Sequence, residues 1–153
     1  MAAAKIAELS PLAKQVNQKT DEINRVISTL NDKLAKLNLG IEVWLDHPRN
    51  ALAVSDWEDE ATHRERTFWF FGYDRLGDKW QLAVKEVTEE LTIEDGEENV
   101  EEVNPKFFPL LSASRTLRLA ALEQIPRLLD QMKEEGKKLL ETVSAAEKLA
   151  ESL

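Results

Sequence analysis

Aromatic side chains are concentrated in the middle of the sequence, in segments whose alternating pattern predicts β-strands. Because successive residues of a strand point to opposite faces of a sheet, the alternation assigns one set of aromatic residues to a common face. This set consists of Trp44, Trp69, Phe71 and Tyr73, with Trp57 as a further candidate. Tryptophan and tyrosine are frequent anchors of protein interfaces. We therefore expect this face either to bind a protein or a ligand, or to be covered by a helix or by the segment around Phe107 and Phe108.

The acidic residues are concentrated in one short segment. Residues 86–102 contain nine acids and no base, and removing these nine from the 29 acids of the chain leaves 20, which equals the number of bases. The net charge of −9 argues against direct binding to nucleic acid, where basic residues must neutralise phosphates. The segment is either a solvated hairpin that protects a sheet edge or a docking rim for a basic protein. The candidate rim residues are Glu94, Asp95, Glu97 and Glu98.

Other residues with chemical potential lack the spacing of a known site. His47 and His63 each stand near acidic residues, as in acid–base pairs and metal sites, but neither belongs to a recurrent ligand motif. Arg115 and Arg118 could face an anion at a helix start or pair with carboxylates. The sequence has no cysteine, and its five glycines are too widely spaced for a phosphate-binding loop. We therefore expect no cofactor and no metal, and we favour a non-catalytic role.

A long helix is predicted at each end of the chain. Ser10-Pro11 has the form of an N-cap followed by proline, and apolar residues then recur at steps of three and four until a stop at Gly40. The second helix begins at Arg115 after a serine cap and repeats the pattern, with a kink at Pro126. Each apolar seam needs a partner. The two helices are expected either to pack antiparallel within one chain or to mediate dimerisation.

Between the helices, the pattern predicts an antiparallel β-sheet of four to six strands. The clearest hairpin turns through residues 74–78, and Asp95-Gly96 predicts a second hairpin turn. The chain is interpreted as one domain, with a helical arm at 1–39, the sheet at 40–104, and a connector and helix at 105–153. The face predicted to form the core contains Ile41, Val43, Leu45, Leu52, Val54, Phe68, Phe70, Trp80, Leu82 and Val84.

These observations predict an α+β protein of 153 residues, with neither a membrane-spanning run nor a secretory signal, and hence a cytoplasmic location. The favoured function is protein–protein interaction, as an adaptor or as a homodimer, with the four aromatic residues as anchors and the acidic residues as a rim. One alternative is an acidic chaperone or an inhibitor of a basic partner. Another is a small-molecule binder or enzyme with a pocket between sheet and helices. A purely structural role in a larger assembly is a further possibility.

Overall fold

The computed structural model describes residues 1–55, 58–60 and 63–153. For residues 58–60 it describes the backbone alone. Trp57 therefore lies outside the described residues. The α+β prediction is confirmed. Two short 3₁₀ helices span Pro48–Asn50 and Leu110–Ser112. The helices are α1 (Ala2–Leu37) and α2 (Arg115–Ser152), and the strands are β1 (Val43–Leu45), β2 (Ala53–Val54), β3 (Glu58–Glu60), β4 (His63–Leu76), β5 (Lys79–Glu94) and β6 (Glu97–Pro109).

The six strands form one antiparallel sheet in which β4 and β5 are the central pair. The other side of β4 is paired in succession by β1, β2 and β3, which together act as one interrupted strand, and β6 pairs with the far side of β5. The turn between β5 and β6 has positive φ angles at Asp95 (51°) and Gly96 (80°), which the type I′ hairpin turn requires. The predicted Asp-Gly hairpin is therefore confirmed.

The sheet extends further along the chain than the sequence predicts. The segment from Pro105 onward was expected to be a connector, but β6 continues to Pro109, and Phe108 pairs with Val84 in the ladder. Both prolines are tolerated because β6 lies at an edge of the sheet, where an N–H that points outward needs no strand partner. The boundary predicted at residue 104 is therefore wrong by about five residues, because proline alone does not end an edge strand.

Both helices are longer or more continuous than predicted. Helix α1 begins at Ala2 and passes through Pro11, where the sequence predicts a start at Ser10. The alanine-rich residues before Ser10 favour helix strongly enough to offset the hydrogen bond that Pro11 removes. Helix α2 begins as predicted after Ser114, whose Oγ accepts a hydrogen bond from the Leu117 N–H at 3.3 Å, and it continues as one helix through Pro126.

The two helices run side by side in the same direction. The Arg118 guanidinium, in the first turn of α2, donates a hydrogen bond to the Asn24 side chain of α1. Gly136, further along α2, lies beside Ile41, just after the end of α1. Because both contacts advance along the two segments in the same order, the arrangement is parallel. It differs from the antiparallel pair, which was one of the two arrangements expected from the sequence. No helix in the part of the chain that the structure describes is long and apolar enough to cross a membrane.

The main hydrophobic core lies between the two helices and one face of the sheet. The register pairs Val43 with Tyr73 and Leu45 with Phe71, so that Phe71 and Tyr73 share the helix-covered face with the β1 residues. The core face predicted from the sequence is thus partly wrong, since Phe68 and Phe70 form a second cluster on the opposite face. A shift of one residue in strand register exchanges the two faces, and alternation within a strand does not fix the phase between strands.

Candidate functional site

The four aromatic residues predicted as anchors do not form a common surface. Phe71 and Tyr73 are fully buried in the main core beneath the helices, where a partner could not reach them in this fold. Trp69 packs partly buried against the same core, and its Nε1–H donates to the Glu86 carboxylate at 2.9 Å. Trp44 lies on the opposite face of the sheet. The prediction of a shared face is therefore wrong for Trp44, and the other three lie on the covered side.

Trp44 belongs to a small polar and aromatic cluster on the second face. Its ring lies 5.5 Å from that of Phe107, and its Nε1–H donates to Glu42 at 3.1 Å. The Lys85 ammonium lies 5.2 Å from the Trp44 ring and forms an ion pair of 3.0 Å with Asp46. These contacts hold the Trp44 and Lys85 side chains in place, next to a cavity of about 180 Å³ that Phe68 and Phe70 also line. Phe107 remains 44% exposed.

The predicted acidic rim lies at the far end of the sheet. Glu94, Asp95, Glu97 and Glu98 surround the turn between β5 and β6, and all four are exposed to solvent. This location agrees with the hairpin that the sequence indicates. The side chains could meet a basic partner without rearrangement, and their role as a binding rim stays a prediction.

A second acidic feature, which sequence reasoning missed, crosses the sheet next to this turn. Glu58 pairs in register with Glu65, Glu65 with Glu90, and Glu90 with Glu101, so that four glutamates occupy one row. His63 lies two residues before Glu65 in β4, on the same face of the strand, with its Nε2 3.5 Å from the Glu65 carboxylate. The ligand atoms of His63, Glu65 and Glu90 all lie within 4.8 Å of one another, a spacing that a divalent cation could bridge. This group of three side chains is apparent only once the strand register is known, and the sequence alone does not provide the register.

The least covered parts of the chain are the two ends of the helices. Every residue from 1 to 15 and from 137 to 153 is exposed, and we call these segments the N-arm and the C-arm. The arms continue the apolar seams that the sequence predicts, but beyond the sheet that buries the seams elsewhere. Besides the terminal residues Met1 and Leu153, which are almost fully exposed, the large apolar side chains of the arms are between 46% and 68% exposed: Ile6, Leu9 and Leu12 in the N-arm, and Leu139, Leu140, Val143 and Leu149 in the C-arm.

The N-arm leads into an apolar groove between the two helices. Leu12, Val16 and Ile23 of α1 line one side, and Arg115 and Leu119 of α2 line the other. This groove is where the two helices diverge from their contact at Asn24 and Arg118. It offers an additional helix a surface continuous with the exposed seam of the N-arm. Arg118, considered above for an anion site, uses one guanidinium nitrogen, Nη1, to donate to Asn24, and its buried Nε has no hydrogen-bond partner.

Comparison with known proteins gives no guide to function. The sequence matches no protein-family model and no curated protein, and the structure matches no solved structure. The functional argument therefore depends on the geometry of the chain itself.

Proposed function

We propose that this is a non-catalytic protein-interaction protein that self-associates through its two helical arms. The observation that carries the proposal is the exposure of both arms, which leaves seven large apolar side chains at least 46% exposed. Single exposed apolar residues are ordinary on protein surfaces, but four of these seven, Ile6, Leu9, Leu139 and Val143, lie on the heptad seams of the two helices, a pattern typical of helix–helix interfaces. In this proposal the globular part of the protein positions the arms, and the arms of different copies bind one another.

Helix energetics support the same proposal. An isolated helix of about 15 residues is marginally stable in water even when its sequence is favourable, because helices in proteins depend on tertiary packing. Burying one leucine or isoleucine side chain contributes roughly 1.5–3 kcal/mol. A partner helix that covers Leu139 and Val143 would thus stabilise the C-arm and associate with it at the same time.

A charge introduced into the seam tests this function. Val143→Glu places a carboxylate on the apolar face of the C-arm, whereas Ala145→Glu adds the same charge to the same exposed helix on its opposite side. In sedimentation equilibrium, we expect the wild type and Ala145→Glu to associate and Val143→Glu to shift towards the monomer. Circular dichroism of the three proteins checks that the folded domain is retained.

Two results would count against the proposal. One is a wild-type protein that is monomeric at all accessible concentrations. The other is an equal association constant for Val143→Glu and Ala145→Glu, which would place the contact away from the C-arm seam. Because both positions lie in the fully exposed part of α2, neither substitution disturbs the buried core.

A second candidate function is supported by the acidic end of the sheet. The exposed turn residues Glu94, Asp95, Glu97 and Glu98 lie next to the row of Glu65, Glu90 and Glu101, which suits the proposed binding of a basic partner, as in an acidic chaperone or inhibitor. A lysine-rich peptide tests the proposal by titration at low and high salt. Binding that is lost with salt and in Glu97→Lys/Glu98→Lys supports it. Equal binding by the wild type and by this variant opposes it.

A further inference from the structure

We infer that the partner of each arm is the opposite arm of a second copy of this chain. This inference rests on the proposed function and specifies its arrangement: the N-arm of one copy packs antiparallel against the C-arm of the other. A two-fold axis repeats the contact, so that the dimer contains two identical arm pairs.

The positions of the arms within one chain provide the first argument. The contact between Asn24 and Arg118 shows that α1 extends for about 20 residues ahead of the first turn of α2, or roughly 30 Å. Gly136 lies beside Ile41, so that α2 extends past the end of α1 for about 16 residues, or roughly 24 Å. The two arms therefore project from opposite ends of a parallel pair and cannot reach each other within one chain.

Symmetry provides the second argument. A two-fold axis perpendicular to the helices reverses the second copy and places its C-arm beside the first copy's N-arm, antiparallel to it. The same operation covers the other two arms, so the assembly closes as a dimer with every seam occupied. Pairing like with like, N-arm with N-arm and C-arm with C-arm, would require two different axes and would generate an open chain of copies.

The available apolar area is sufficient for a stable dimer. A fully buried aliphatic side chain removes roughly 90 Å² of apolar surface from water, by the usual relation of area to transfer free energy. Seven side chains per copy, each about half exposed, in an interface that is about 60% apolar, then bury roughly 1,050 Å² in the dimer. This is close to the roughly 1,000 Å² that a specific interface needs.

Site-directed crosslinking tests the arrangement, because the natural chain contains no cysteine. Ala13→Cys in the N-arm and Ala146→Cys in the C-arm are exposed positions on the two seams. The two single variants are mixed, allowed to exchange subunits and treated with a short bismaleimide. We expect a covalent dimer in the mixture and little in either variant alone. Lys148→Cys, about 200° around the helix from Ala146 and also exposed, is the matched control and should crosslink weakly with Ala13→Cys.

The outcomes separate this inference from the proposed function. Efficient crosslinking of Ala146→Cys with itself would show like-with-like pairing and overturn the inference while keeping self-association through the arms. A ladder of covalent multimers in the Ala13→Cys/Ala146→Cys double variant would also overturn it, since a closed dimer stops at two chains. A monomeric wild type would contradict both the inference and the proposed function.

Discussion

The Asn31 side chain of helix α1 accepts a hydrogen bond from the backbone N–H of Leu82 in strand β5, at 2.8 Å. Leu82 stands one residue beyond the last pair of the β5–β6 ladder, which joins Ala83 to Pro109. Asn31 is 4% exposed and is the buried polar residue of the described core. Its amide therefore supplies the acceptor that β6 no longer provides, and it fixes α1 in position on the sheet.

Replacing Asn31 with alanine should destabilise the protein by roughly 1–3 kcal/mol, since the buried Leu82 N–H would lose its acceptor. Urea unfolding followed by circular dichroism measures the change. Asp32→Ala, at the exposed neighbouring position, is the control and should change stability by less than about 0.5 kcal/mol. Equal stabilities of the two variants would show that the Asn31 hydrogen bond does not anchor the helix.

Gly72→Ala should also be destabilising, by roughly 1–3 kcal/mol. Gly72 pairs across the sheet with Trp44, and an added Cβ would overlap the indole ring and lie 2.6 Å from the Val43 carbonyl oxygen. The matched substitution is Gly136→Ala in α2, where the new Cβ meets only Ile41 at an ordinary 3.9 Å. There we expect a gain of about 0.5–1 kcal/mol from the reduced flexibility of the unfolded chain. Thermal unfolding of both variants shows whether each change in stability has the expected sign. An unchanged stability of Gly72→Ala would contradict the close approach of the Trp44 ring to Gly72.

Several elements could be predicted because their signals are local. The Ser114 cap and the Asp95-Gly96 turn are encoded by residues that satisfy nearby backbone groups, and both are confirmed. The seam of α2 is likewise a repeat within one segment, and Met132 of that seam is buried, but Leu129 is 40% exposed and its neighbour Leu128 is buried instead. The division of the seam into a buried part and an exposed C-arm depends on where the sheet ends, which no local pattern records.

The candidate site was less predictable because it depends on register. Phe70 and Phe71 are neighbours in β4, and the sequence offers no reason to prefer one of them for the helix-covered face. The pairing of Leu45 with Phe71, two residues 26 positions apart in the sequence, determines that Phe71 lies on the helix-covered face. The row that contains Glu65 and Glu90 could not be predicted for the same reason, since it depends on the register between β4 and β5.

Burial raises the pKa of the Tyr73 phenol above its ordinary value near 10. The folded state thus favours the neutral phenol. The corresponding stability is fully present below pH about 10 and is lost as pH rises through the raised pKa. Tyr73→Phe keeps the ring that stacks on Trp80 and removes the titrating group. In urea unfolding between pH 8 and 11, we expect the variant to lose less stability than the wild type above pH about 10. Parallel pH profiles would contradict the burial of this hydroxyl.

Glu90→Gln should stabilise the sheet by roughly 0.2–1 kcal/mol, because Glu90 stands directly between Glu65 and Glu101 in the ladder. The gain should shrink at high salt, where repulsion between carboxylates is screened. Thermal unfolding at two ionic strengths measures both effects. Glu89→Gln serves as the control and should destabilise, since the Glu89 carboxylate accepts a hydrogen bond from Arg66 at 3.1 Å. A loss of stability in Glu90→Gln at low salt would contradict the proposed repulsion.

Hydrogen–deuterium exchange at several protein concentrations tests most directly whether the arms are the interaction surfaces. We predict that amides of the N-arm and the C-arm are protected in concentrated solution and lose this protection on dilution, while β4 and β5 remain protected throughout. Such a result would show that association covers the exposed seams. Arms that exchange rapidly at every concentration, on an otherwise protected domain, would contradict the account.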